Sequence, residues 1–153
     1  MKQFRFPMEV LYRLRKEEER QALFVVQSLR QKLSALEHLI QTLENERREW
    51  IYFYNELGKK QDGQSEILLA EQYLIMLERQ QRHKAEEARL VIKDIDKALV
   101  EVKKAYQARR QVEHLRETRK EAYDLEIQKM ERRDVDEMNA LRFVHNGLRE
   151  DLL

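Results

Sequence analysis

Four histidines and twenty-nine Asp and Glu residues are the side chains from which a metal centre or a general acid–base pair could be built. His38, His83, His114 and His145 are widely separated, and no two stand the four residues apart that would put both on one helical face. No metal or other cofactor is expected. Cysteine is absent, which excludes disulfides and thiolate metal sites. The chain has no Gly-rich phosphate loop and no Ser nucleophile motif. Its carboxylates are spread along helical stretches that offer no concave pocket to shift their pKa values. An enzyme reading therefore has no constellation of residues behind it.

The chemistry that remains is association, and it depends on the elements that carry the apolar residues. Charged residues make up 39% of the 153-residue chain, with only three glycines and one proline. Few breakers and many strong helix formers predict continuous α-helix. The mean hydropathy of −0.83 argues against a broad globular core. Regularly spaced apolar residues argue equally against disorder. Thirty basic residues nearly cancel the acidic ones, so no sequence-independent attraction to nucleic acid is expected. No apolar run approaches the roughly 20 residues of a membrane span. The first seven residues lack the apolar core of a signal peptide, so the cytoplasm is the expected compartment.

Pro7 suits the first helical position, where its missing N–H would be unpaired anyway. Helix one is predicted over residues 7–57. The segment 58–65, which contains Gly58 and Gly63, is the one strong turn signal. Ser65 is a candidate N-cap for helix two, predicted over 66–145 with Asn146-Gly147 as its stop and a frayed tail beyond. The helices would be roughly 75 and 120 Å long.

In helix one, Leu29, Leu33, Leu36, Ile40, Leu43, Arg47, Trp50, Tyr54 and Leu57 alternate steps of four and three, a 3.5-residue repeat. Before it, Leu11, Leu14, Glu18, Ala22 and Val25 contain two successive steps of four, which reads as a stutter. In helix two the same alternation runs through Leu74, Leu77, Gln81, Lys84, Ala88, Val91, Ile95, Ala98, Val102 and Ala105, and it thins past Val112. A short turn forces antiparallel neighbours. The expected architecture is an all-α antiparallel two-helix coiled coil, a single hairpin over residues 1–153 with the second helix longer. With Leu57 facing Glu66, Leu33 meets Val91, Leu36 meets Ala88 and Phe4 lies near Arg119, to within about one turn. Residues beyond about 120 are left without an intramolecular partner.

Three features stand out. Beside the turn, Trp50-Ile51-Tyr52-Phe53-Tyr54 are five apolar or aromatic residues in a row, and nine of the eleven residues from Ile67 to Leu77 are apolar. A two-helix seam hides one stripe per helix, so some of these must be exposed. A partner-binding collar is the preferred reading, with a thicker core or a homodimer contact as the alternative. The second feature is the segment from Glu121 to Leu153, mostly charged with a thin stripe of Met130, Val135, Met138, Leu141 and Phe143. It is either ordered by a partner or a solvated tail. The third is the polar set Arg47, Gln81, Lys84 and Arg109 on the seam, which either fixes register or snorkels outward; snorkelling is the preferred reading.

These pieces resemble a known family. Phe4-Arg5-Phe6-Pro7, followed by Val10-Leu11 and Leu14-Arg15-Lys16-Glu17-Glu18, resembles the N-terminus of the FliJ family of flagellar export proteins. The turn followed by Glu71-Gln72-Tyr73-Leu74-Ile75-Met76-Leu77-Glu78 does so too. Glu131-Arg132-Arg133-Asp134-Val135-Asp136-Glu137-Met138 is similar to the family's closing stretch. The resemblance spans nearly the whole chain. It implies a non-enzymatic adaptor of the flagellar type III export apparatus, similar to the two-helix stalk of rotary ATPases. The implied partners are the hexameric export ATPase FliI with its regulator FliH, the cytoplasmic region of the export gate FlhA, and export chaperones. The implied location is cytoplasmic, at the inner membrane through the apparatus and without insertion, and the protein alone would be mainly monomeric.

Residue by residue, the resemblance assigns the gate contact to Tyr73 and Leu77, with Trp50 as the neighbouring aromatic. It assigns the ATPase side to Asp134, Asp136, Glu137 and Met138. Tyr73 departs from a commoner Phe, and the aromatic run at 50–54 is richer than the family's pattern. The heptad count also puts Leu77 on the internal seam, whereas a gate contact needs it exposed. A structural coiled-coil rod and a virulence-secretion stalk are the rival readings. A prefoldin-like chaperone needs strands for which the turn has no room.

Overall fold

The computed structural model describes residues 3–60 and 62–152; Gln61 in the expected turn, Leu153 in the expected tail, and Met1 and Lys2 lie outside them. Two α-helices pack against each other, α1 (Glu9–Leu57) and the longer α2 (Gln64–Asp151), with no strand among the described residues. This is the all-α hairpin expected from the sequence.

α1 begins two residues after Pro7 rather than at it. The carbonyl of Phe6 accepts the Glu9 N–H at 3.1 Å, so a tight turn precedes the helix, with Pro7 at its second position. The Met8 carbonyl then accepts the Tyr12 N–H at 3.0 Å, the first full helical bond. Glu9 places a carboxylate in the first turn, where the helix dipole favours it. At the other end, the N–H groups of Gly58, Lys59 and Lys60 bond to the carbonyls of Tyr54, Glu56 and Leu57. α2 starts at Gln64, where the Gly63 carbonyl accepts the Ile67 N–H at 2.9 Å. Gly63 therefore holds the cap position expected for Ser65, which lies inside the helix. The turn is correspondingly shorter than residues 58–65.

The chain forms two compact units, Met1–Glu17 with Tyr106–Leu153, and Glu18–Ala105. The core of the Glu18–Ala105 unit is Leu36, Ala88, Val91 and Ile95, against which Leu29, Leu33 and Ile40 pack. Large residues of α1 thus meet small or β-branched ones of α2, as the proposed facing of Leu36 with Ala88 requires. In this unit every predicted seam position of α1 from Leu29 to Leu57, and of α2 from Leu74 to Ala105, is at least half-buried.

The stutter is not present. Of the expected positions Leu14 and Val25 are exposed and Leu11, Glu18 and Ala22 only half-buried, while Tyr12 and Val26 are buried and Met8, Arg15 and Glu19 are half-buried. In sequence, the inward positions of each unit, Met8, Tyr12 and Arg15 in one and Glu19, Ala22 and Val26 in the other, follow the four–three alternation. Apolarity alone pointed to the wrong neighbours because the seam admits the long stems of Arg15 and Glu19.

In the other unit, Phe6 and Tyr12 are buried and the Phe4 ring stacks on Tyr123 at 5.6 Å between centroids. Phe4 therefore lies one turn beyond the Arg119 position predicted for it; Arg119 covers Phe6 instead. α2 also does not stop at Asn146-Gly147. Among the described residues no glycine has positive φ, so Gly147 does not form the left-handed cap that would end a helix. The helix continues to Asp151, exposed from Gln128 onward, where a frayed tail was expected.

Candidate functional site

The turn-proximal surface belongs to the Glu18–Ala105 unit. It is formed by residues 46–57 of α1 and the first four turns of α2. The Trp50 ring lies 4.6 Å from Tyr73 across the hairpin and 5.4 Å from Phe53 on its own helix, edge-on. These spacings suit attractive aromatic packing. The Tyr73 hydroxyl donates to the Glu46 carboxylate. The Tyr54 hydroxyl donates to Glu71 at 2.8 Å. Both phenols are held above their ordinary pKa. For Tyr54 the hydrogen bond to Glu71 is the main cause, with that carboxylate's charge next; for Tyr73 it is the bond to Glu46, followed by burial. Deprotonating either would place a phenolate against a carboxylate, so both stay donors and tie the helices together.

Trp50 and Tyr73, predicted as partners in one site, are thus brought into contact and left half-exposed. Leu77 is not on that surface. It is 1% exposed, the most buried side chain described, and packs in the seam one turn beyond Tyr73. This is the seam position that the heptad count predicts, and it leaves the Leu77 side chain unavailable on the surface where the resemblance placed it. The exposed apolar side chains nearby are Leu69 and Met76, which share the Tyr73 face at four- and three-residue spacing, with Phe53 on α1. That spacing could have identified them. Ile51, Tyr52, Leu68 and Ile75 are exposed around the same end, so the collar is not a thicker core.

The polar seam residues behave in two ways. Arg47, Lys84 and Arg109 pair with carboxylates on their own helix, Glu44, Glu87 and Glu113, and Arg109 stays largely buried in its pair. Gln81 instead crosses the seam and donates to Glu44 at 2.7 Å. That bond is the main cause of the lowered Glu44 pKa, and the charges of Arg48 and Arg47 act in the same direction. Gln81 therefore pins register, which the own-helix pairs of Arg47 and Lys84 do not.

In the Met1–Glu17/Tyr106–Leu153 unit, Asp134, Asp136, Glu137 and Met138 are all exposed. Helical geometry puts Asp134, Glu137 and Met138 on one face and turns Asp136 away. Asp136 lines a shallow groove with Gln128, Glu131, Arg132 and Val135 instead. Nearer the chain start, Tyr12 donates to Glu113 at 3.4 Å, and Arg116 bonds Glu9 at 3.0 Å. Glu113 also receives Arg109 and Arg110; its pKa is lowered, chiefly by the hydrogen bond from Arg110. Tyr12 was missed because a tyrosine at an inward position does not stand out in an apolar pattern.

Among the described residues, no group of three or more His, Asp or Glu could hold a metal ion, and no helix is long and apolar enough to cross a membrane. What this arrangement offers chemically is exposed apolar helix faces edged by charge. The family model described as the flagellar FliJ protein matches residues 4–148. No curated protein and no solved structure matches the chain.

Proposed function

Because this chain belongs to the FliJ family of flagellar export proteins, we propose that it acts as a non-enzymatic adaptor between the hexameric export ATPase FliI and the export gate FlhA. The carrying observation is the collar. Trp50 and Tyr73 are in ring contact, Tyr73 and its neighbour Tyr54 are fixed by hydrogen bonds to acidic side chains, and Leu69, Met76 and Phe53 are exposed around them. A soluble two-helix hairpin gains nothing from presenting that much apolar surface to water unless something covers it. In this reading Trp50 and Tyr73 touch the cytoplasmic region of the gate, and Leu77 holds the Tyr73 turn of α2 from beneath.

The ATPase side is α2 beyond Tyr123, with Asp134, Glu137 and Met138 as one contact face and Asp136 as a separate contact. Residues 128–151 are helical with no intramolecular partner to stabilise them, which is the condition of a segment that awaits another protein. FliH accompanies the ATPase, export chaperones use other faces of the hairpin, and the protein works in the cytoplasm at the inner membrane without entering it. Alone it is mainly monomeric.

The test is a pair of binding measurements on one set of variants. Trp50→Ala with Tyr73→Ala should abolish binding to the gate's cytoplasmic region and leave ATPase stimulation intact. Removing residues 121–153 should do the reverse. Loss of gate binding on the truncation, with stimulation retained, refutes this assignment of the two surfaces.

A further inference from the structure

Around the chain start and the facing stretch of α2 in the Met1–Glu17/Tyr106–Leu153 unit, some basic residues are held by acids and others are not. Arg109, Arg110 and Arg116 are occupied: Arg109 and Arg110 hold Glu113, Arg110 also reaches Glu117, and Arg116 holds Glu9. The acids in these pairs are neutralised in turn. Arg5, Lys16, Arg119 and Lys120 make no ion pair among the described residues.

Two of these unpaired cations are seated on rings. The Lys16 Nζ lies 4.7 Å from the centre of the Tyr12 ring, and the Arg119 guanidinium carbon 5.9 Å from that of Phe6. A guanidinium held over a ring has its orientation restrained, while its N–H edge remains free to take an oxyanion in bidentate fashion. Arg5 stands beside the Phe4–Tyr123 pair and borders two shallow grooves. One is shared with Gln3, Phe4 and Tyr123, the other with Phe4, Phe6, Glu9 and Arg116. Ring surface and uncompensated positive charge are therefore presented side by side.

We infer that the N-terminal arm and the adjoining Arg116–Tyr123 stretch of α2 dock an acidic segment of the partner ATPase, its carboxylates on Arg5 and Arg119 and an apolar side chain against Phe4 and Tyr123. This rests on the ATPase reading above and adds to it a second, oppositely charged contact. Charge complementarity selects the occupant. A nucleic acid would have to continue along α2, where Glu121 follows at once and residues 124–151 carry eight acidic against five basic side chains. A short acidic peptide meets the cations without meeting that repulsion.

The experiment titrates purified ATPase with the full-length protein from about 50 to 300 mM NaCl, comparing wild type with Arg5→Glu/Arg119→Glu and with the milder Arg5→Gln/Arg119→Gln. Circular dichroism confirms that each stays helical. Wild-type affinity should fall as salt rises. The Glu pair should bind about tenfold more weakly at low salt with a flattened salt dependence, and the Gln pair should fall between. Equal affinity and equal salt slope in all three proteins overturn the inference and leave the adaptor reading standing. Wild type that does not bind the ATPase at all overturns both. A parallel titration with a single-stranded oligonucleotide covers the other class of partner: binding that is lost in the Glu pair, while ATPase binding is unchanged, also overturns the inference.

Discussion

Replacing Leu77 with alanine tests whether the buried Leu77 supports the proposed gate contact while the exposed Met76 on the same helical turn takes part in it. Leu77 is 1% exposed and sits in the seam, so the substitution removes three carbons from a packed site. At about 0.8 kcal/mol per carbon the transfer loss is about 2.4 kcal/mol, and the cavity left behind raises the cost to about 3–4 kcal/mol. Met76, by contrast, is 43% exposed, and its truncation should cost under about 1 kcal/mol. The assay is urea unfolding followed by circular dichroism at the helical band, paired with calorimetric titration of the gate's cytoplasmic region. Leu77→Ala should shift the unfolding midpoint strongly, and should weaken gate binding only under conditions where the turn end has unfolded. Met76→Ala should weaken gate binding by about tenfold with the midpoint nearly unmoved. Leu77→Met, which keeps the volume, should restore both properties. If Leu77→Ala leaves stability within about 0.5 kcal/mol of wild type yet abolishes gate binding, the seam placement of Leu77 is refuted.

Three further outcomes follow from the same geometry. Val26→Ala should cost about 1.6 kcal/mol of stability for two buried carbons and Val25→Ala under about 0.5 kcal/mol, the reverse of what a stutter would give; chemical denaturation of the two variants decides it. The Tyr54 and Tyr73 phenols are raised above 10.0, so their hydrogen bonds stabilise the turn end below that pH and are lost as pH rises through the folded values; thermal melts should be flat to about pH 10 and fall above it, less steeply in Tyr73→Phe. Glu113 is lowered below 4.5, so its contribution is present above that pH and is lost as pH falls through the folded value; Glu113→Gln should flatten this acid limb of the melting curve.

The sequence by itself determined most of the architecture. Two glycines in one short segment, and none elsewhere before Gly147, leave room for a single turn, so two helices and an antiparallel hairpin are forced. The 3.5-residue repeat from Leu29 to Leu57 and from Leu74 to Ala105 was legible because large apolar residues mark nearly every inward position. The collar was legible for the complementary reason, since apolar residues on all sides of a helix cannot all face one neighbour. The FliJ motifs, too, could be read at residue level.

The tertiary structure decided what depends on a second helix. Tyr12, Arg15 and Glu19 occupy the seam because their stems can be buried while their polar ends reach other groups, and no apolar pattern registers that. Gln81 differs from Arg47 and Lys84 because its bond crosses the seam to Glu44, while theirs stay on their own helix. Leu77 competed for two roles as long as its surroundings were unspecified, and four-residue spacing alone links it equally to Tyr73 on the surface and to Gln81 on the seam. Packing against α1 settled its burial, because a helix has one inward face and the rest of the repeat had already fixed which one. The pairing of Arg109, Arg110 and Arg116 with acids, which leaves Arg5 and Arg119 unpaired, is likewise a property of distances across the hairpin and along one face of α2. Composition supplies nearly equal numbers of charges, and only the fold says which of them are left over.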